Sequence, residues 1–290
     1  MRTTVAVSLL LALVLGACAT VPDRFGWETR LRGDSVVLLG EVHDNPEQHR
    51  LRLAVLERAF AAGWRPAIVM EQFDRDHQAD IEQARRERPG DAQHVIDLAA
   101  PAASGWNWES YRPFVALALD YGVPLIAANL SSADATRIVR AGYAAVFDAE
   151  SIAALGLDRP IEGSVRAAQE HEIDVGHCGV LPAEAWPRMA RAQYARDAVM
   201  AHAVAAHAAH GAVLLAGNGH ARRDIGVPRW LELDAGRVLA IGFLENDSAT
   251  PPSAFDAVVR TAPAARDDPC ARFIAPPRRV DAALGQDAFE

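Results

Sequence analysis

The segment Val36-Val37-Leu38-Leu39-Gly40-Glu41-Val42-His43-Asp44-Asn45-Pro46 passes from an apolar run into a polar corner and then into a helix start. Val36 to Gly40 is a continuous apolar run of strand length, the pattern of a strand buried on both faces. Asn45 followed by Pro46 gives a helix N-cap with proline at the first helical position. A buried strand that turns directly into a helix is the unit of a parallel α/β sheet, whose ligand crevice lies at the carboxyl ends of the strands. Glu41 and His43 are two apart, so continued extended geometry projects both to one side. A carboxylate and an imidazole aimed at one point make this corner the first candidate for chemistry.

The same alternation runs through the chain. Leu51, Val55, Leu56, Ala59 and Phe60 give the first helix an apolar stripe that ends at Gly63. Ala67 to Met70 reads as a second buried strand ending in Glu71, and Asp74 to Arg88 as a polar helix. Arg112 to Tyr121 reads as helix, Pro124 to Ala128 as a third strand ending at Asn129, and Ser131 or Ser132 caps the next helix. Tyr143 to Phe147 reads as a short fourth strand, residues 148–182 are the least periodic part, and Ala183 to His210 is one long helix. Val213 to Ala216 ends in Gly217-Asn218-Gly219-His220, and Val238 to Leu244 and Phe255 to Arg260 close the sheet. These elements predict one α/β domain over 35–274, with a mostly parallel central sheet, helices on both faces and a poorly ordered tail over 275–290. No internal repeat or inter-domain linker is visible.

Composition narrows the function classes. A formal net charge of -9 leaves no basic surplus to neutralise phosphates, which argues against a nucleic-acid partner. All 29 basic residues are Arg, which removes Schiff-base chemistry and the P-loop lysine. No G-x-S-x-G nucleophile elbow is present. At the N-terminus, Arg2 precedes an apolar stretch, Val5 to Leu15, shorter than the ~20 residues a bilayer-spanning helix needs. Leu15-Gly16-Ala17-Cys18 resembles a bacterial lipobox. That resemblance implies a signal peptide over 1–17, cleavage before Cys18, lipidation of Cys18 and a lead-in from the anchor over 18–34. A plain secretory peptide is the alternative. Ala19 rather than Asp after the cysteine favours the outer membrane. Cys178 and Cys270 are then left as an even pair in an oxidising compartment. A disulfide between them competes with a free buried thiol or a ligand role for Cys178.

Four strands thus end in polar residues: Glu41 with His43, Glu71, Asn129, and Asn218 with His220. Parallel strands bring those ends to one edge, where the side chains are expected to converge. Helix capping and loop polarity are the alternative for any one of them. The glycines around Asn218 permit close approach of a ligand. On the long helix, Trp186, Met189, Gln193, Arg196, Met200 and Val204 define one face. Gln193, Arg196 and the adjoining Asp197 interrupt an apolar stripe and need partners, in a salt bridge or in the crevice. His202, His207 and His210 fall off that face, and His49, His77 and His94 lie in polar helical stretches without an assigned role. His177, in the turn Gly176-His177-Cys178-Gly179, is placed either to present a ligand group or to close the turn.

In chain order, GEVHDNPEQH, MEQFDR, WxWxxY, PLIAAN, HCGxLP, AQxxRDAxMA and GNGHAR resemble the ChaN-like haem-binding lipoproteins. That family belongs to a superfamily with the Tiki proteases and erythromycin esterases, and the resemblance runs from about Val36 to Cys270. It implies a lipid-anchored protein of the bacterial cell envelope that binds haem for iron uptake. Two subunits would enclose a haem pair, with an outer-membrane haem receptor as partner. In the related enzymes, strand-end residues matching Glu41, His43, Glu71 and His220 carry metal-dependent or acid–base hydrolysis. For haem, Tyr111 beside Trp106 and Trp108 is the first candidate iron ligand and His177 the second, with aromatic packing as the alternative role for the three rings. Asn129, Gln193, Arg196, Asp197 and Asn218 would line the site. The competing expectation is a hydrolase, with Glu41, His43, Glu71 and His220 around Zn or Mn or working as acid and base. No short-spaced H-E-x-x-H motif supports the metal version.

Overall fold

A computed structural model describes residues 25–100, 105–271 and 273. The lipobox with Cys18, the signal peptide and the tail over 275–290 lie outside the described residues. Strands β1 (Val36–Leu39), β2 (Ala67–Asp74), β3 (Leu125–Asn129), β4 (Ala212–Leu215), β5 (Val238–Glu245) and β6 (Ala257–Thr261) form one sheet. Their order is β3-β2-β4-β1-β5-β6 and every pairing is parallel. The helices are α1 (Pro46–Ala61), α2 (Gln78–Glu87), α3 (Ala92–Ala99), α4 (Trp108–Asp120), α5 (Ser132–Ala141), α6 (Ala149–Ala154), α7 (Gly163–Gly176), α8 (Trp186–His207) and α9 (Asn218–Ala221).

Alternation along the strands divides the core. Val37, Leu39, Met70 and Leu215 pack with Leu51, Ile81, Val95 and Phe114 of α1 to α4 in one continuous cluster. Val36, Leu38, Val69 and Leu214 face the other way, against Met200 and Val204 of α8. Burial on both faces explains why β1 reads as an unbroken apolar run.

Register fixes what happens at the carboxyl edge. Leu39 lies opposite Leu215, and Leu215 opposite Met70. Glu71, one residue past Met70, therefore belongs to the α8 face. Glu41, two past Leu39, belongs to the α1–α4 face. The two carboxylates leave adjacent parts of the sheet toward different helix layers, and His43, paired with Glu41, lies against Gly217 near Glu71.

Several segments differ from the expectation. Gly142, at φ 82, ends α5, and Tyr143–Ala145 is a 3-10 turn rather than a strand. Residues 148–182 contain α6 and α7. In α7 only Val165, Gln169 and Ile173 are buried, one residue per four, too thin a stripe to stand out as periodicity. β2 continues through Asp74, so α2 starts at Gln78. The long helix is α8 flanked by 3-10 turns at Ala183–Ala185 and Ala208–His210. A disulfide joins Cys178 to Cys270, with Cα atoms 5.5 Å apart. It ties the segment after β6 to the end of α7.

Candidate functional site

The Glu41 side is built by α1 and α4. Asn45 caps α1, its side chain accepting from the Gln48 backbone N–H. This sets His49 and Arg52 on the face toward β1. Glu41 is 2 % exposed and Arg52 fully buried. The Arg52 guanidinium pairs with Glu41 Oε2 and donates to the Leu39 carbonyl at 2.8 Å. His49 Nδ1 lies 3.2 Å from the same Glu41 oxygen. The other carboxylate oxygen, Oε1, accepts from the Tyr111 hydroxyl at 2.6 Å and meets His43 Nδ1 at 3.0 Å. Burial lowers the Arg52 pKa to about 10, which leaves the guanidinium charged at neutral pH. Burial likewise raises the Tyr111 phenol.

His43 is the part of this cluster that reaches solvent, with its side chain 42 % exposed. Its ring stands edge-on to Trp106, centroids 4.8 Å apart. A Cβ at position 217 would lie 2.8 Å from His43 Nε2, so Gly217 is what lets the imidazole lie against the β4 turn. Trp108 packs inward against Phe73 and Tyr111. Tyr111, the first candidate iron ligand, has a ring 1 % exposed and a hydroxyl engaged by Glu41.

The Glu71 side is built by the β4–α9 turn and α8. Glu71 Oε2 accepts from the Gly217 backbone N–H at 2.7 Å, and Oε1 faces His220 Nε2 at 3.5 Å. His220 Nδ1 meets Asp197 Oδ1 of α8 at 2.6 Å. One helical position away, Arg196 donates to Asn129 Oδ1 at 2.6 Å. Gln193, Arg196 and Asp197 thus turn toward the strand ends. Asn218 does not join them: its amide donates to the Phe243 carbonyl at 2.6 Å. Its Oδ1 would lie 2.4 Å from a Cβ at position 40, so Gly40 makes room for it.

Ionisation follows from this packing. Burial opposes charge on His220, but Glu71 and Asp197 outweigh it and raise its pKa. Burial raises Asp197 to about 6, with His220 pulling the other way. Burial acts upward on Glu71 too, and His220, His43, the Gly217 N–H and Arg196 together lower it. Glu71 and Asp197, on either side of the ring, favour the charged imidazolium of His220. A raised histidine pKa contributes stability fully present below the unfolded value near 6.5, and that contribution is lost as pH rises through the folded pKa. The wild type is expected to lose more stability than His220→Gln between pH 6.5 and pH 9, read from urea midpoints. Parallel pH dependence in the two proteins would contradict a charged His220.

Two clefts flank this cluster and share Gln193 and His220. One, about 280 Å³, lies toward Trp106, Asn129 and Arg196. The other, about 240 Å³, is lined by His177, Ile173, Asp197 and Ile225. His177 follows α7, and its Nδ1 lies 2.7 Å from the Ile173 carbonyl. A carbonyl only accepts, so Nδ1 carries the proton and a neutral His177 keeps its lone pair on Nε2. The next residue, Cys178, has φ 62, the one positive value among the described non-glycine residues. Val175 and Val180 on either side are 59 % and 50 % exposed.

A family model described as haem-binding uptake, Tiki superfamily, ChaN, matches residues 27–231. The chain belongs to the ChaN family. Among solved structures it is similar to ChaN of Campylobacter jejuni, described with cofacial haem binding. That likeness has 19% identity and a TM-score of 0.59, and covers 75% of this chain and 84% of the other. At that identity it shows a shared fold. A Bacillus cereus protein is similar at 12% identity and a TM-score of 0.40, covering 84% and 74%. No curated protein sequence matches the chain.

Set on this ChaN fold, the predicted residues form two groups rather than one. Glu41 and Tyr111 gather on one side of the sheet edge, and His43 and Trp106 stand between the groups: His43 pairs with Glu41 yet lies against Gly217 and helps lower Glu71, and Trp106 lines the cleft that holds Glu71. Glu71, Asn129, Gln193, Arg196, Asp197 and His220 gather on the other side, with His177 in the adjoining cleft. Sequence reasoning missed Arg52 and His49. Arg52 lies one turn and His49 two turns before Val55 and Leu56, and helical spacing from that stripe was the signal that places them inward.

Proposed function

We propose that this protein binds haem on the α7–α8 side of the crevice with His177 as iron ligand, and serves haem or iron uptake at the bacterial envelope. The observation that carries the reading is the fixed tautomer of His177 in an open cleft. An iron-ligating histidine characteristically donates its other ring N–H to a carbonyl or carboxylate, as His177 does to Ile173. Ile173 and Ile225 supply apolar surface in the cleft, and Val175 and Val180 are exposed on the segments either side of His177. The left-handed Cys178, pinned by its disulfide, holds the turn that presents the ring. Haem would contribute an iron open to axial coordination and a macrocycle that seeks apolar cover. Tyr111 is disfavoured as ligand, because freeing its hydroxyl would strip a partner from the buried Glu41.

At about 240 Å³ the cleft is small for a macrocycle, since sites that enclose a whole ligand hold roughly 300–1,000 Å³. One subunit would cover the haem in part, and a second copy would complete the enclosure. Among the described residues no helix is long and apolar enough to cross a membrane. Attachment in this reading rests on lipidated Cys18, with the outer membrane favoured and a haem receptor there as partner. Titration with haemin tests the reading: a saturable Soret shift is expected, and an absorption spectrum equal to free haemin at all ratios would overturn it.

A second reading, an acid–base hydrolase, is supported by the buried Asp197–His220 pair beside Glu71. Its Zn or Mn version has a poorer fit. Glu41 is already held by Arg52, His49, Tyr111 and His43. Among the described residues no group of three or more His, Cys, Asp or Glu is arranged to hold a metal ion.

A further inference from the structure

The two faces of the sheet are filled differently. The α1–α4 face carries one continuous core. The other face carries three separate clusters, and Trp230 packs against all three. Where they meet, α6, α7, α8 and the segment around Trp230 leave a cavity of about 310 Å³. Leu155, Val165, Ala198 and Ala201 supply its apolar wall, and Ile225 separates it from the His177 cleft.

The rim is charged and is organised as two ion pairs between the same two segments. Arg159 donates through Nη1 to Glu232 at 2.7 Å, and Arg229 through Nη2 to Glu162 at 3.0 Å. Each is a single-point contact of a guanidinium that has five N–H donors, so each arginine keeps donors for a further acceptor. All four charged side chains are at least one-third exposed, where such pairs are weak and readily rearranged.

We infer that this cavity is a second ligand site, separate from the haem cleft, for a small monocarboxylate amphiphile: apolar body against Trp230 and α8, carboxylate at Arg159 and Arg229. The volume is about twice that of a ~150 Å³ apolar cavity that accepts benzene, which suits an alkyl chain of about eight to ten carbons. Decanoate and the uncharged decanol are the probes. Calorimetric titration of the full chain is expected to show saturable decanoate binding at one site per chain, with a raised melting temperature. Ala205→Trp, which fills the exposed mouth from α8, should weaken both probes at least tenfold. Arg159→Gln combined with Arg229→Gln should weaken decanoate about tenfold and leave decanol unchanged. Decanoate binding should persist in His177→Ala. Absence of saturable binding, wild-type affinity in a folded Ala205→Trp, equal loss of both probes in the double arginine variant, or loss of decanoate in His177→Ala would each overturn the assignment. None of these outcomes depends on whether haemin binds.

Discussion

Replacing Arg52 with methionine is expected to lower the free energy of unfolding by about 3–5 kcal/mol, the range found when one partner of a buried ion pair is removed. The mutation leaves Glu41, at 2 % exposure, without its guanidinium. Methionine fills part of the space against Phe114, over whose ring the Arg52 guanidinium lies at 5.6 Å, so the loss is mainly electrostatic. The Leu39 carbonyl also loses a donor. Removing both charges, in Arg52→Met with Glu41→Gln, should recover much of the loss, because the cost comes from the orphaned carboxylate. Urea unfolding of the two variants measures this. A single-mutant loss below about 1 kcal/mol, or a double mutant worse than the single, would show that the pair does not organise this edge.

Opening the Cys178–Cys270 disulfide is expected to cost about 2–4 kcal/mol. The bond spans 92 residues of sequence, a long loop whose closure restrains the unfolded chain. In the folded protein the same bond anchors the segment after β6. That segment otherwise holds through Arg266, which pairs with Glu245 at 2.6 Å and with Asp44 at 2.8 Å, and through the Ala262 carbonyl, which accepts from Asn45. The Asp44 pair is partly exposed and weak, whereas Arg266 grips the buried Glu245 through two N–H groups, so loss of the disulfide frees chiefly the stretch beyond Arg266. Unfolding of Cys178→Ser/Cys270→Ser against wild type, with and without a dithiol reductant, reads the effect. Equal midpoints for all samples would contradict it.

Much of the architecture was legible because local and global signals agree. The apolar runs at Val36, Ala67, Leu125 and Val213 are buried on both faces, and Asn45-Pro46 starts a helix as its chemistry dictates. The alternation of strand and helix patterns carried the fold class, now seen as an all-parallel sheet. α7 was hidden because one buried residue per four leaves little periodic contrast. Convergence at the sheet edge was legible as a list of residues but not as sides. Which face a strand-end carboxylate occupies follows from inter-strand register, and the sequence of one strand does not contain it. Tyr111 illustrates the consequence: next to Trp106 and Trp108 it looks like a presented ligand, whereas pairing with Glu41 makes it part of the core. His49 shows the reverse, a histidine in a polar-looking helix that is 6 % exposed against Glu41.

Which residue would meet the haem iron is read most directly from haemin affinity of His177→Ala set beside Tyr111→Phe. Absorption titrations of the two folded variants and wild type should give a His177→Ala protein weakened at least tenfold, corresponding to ~1.4 kcal/mol or more of binding free energy. Tyr111→Phe should retain the wild-type Soret position and affinity. Retained binding in His177→Ala together with loss in Tyr111→Phe would contradict the proposal and return the ligand to the Glu41 side of the sheet.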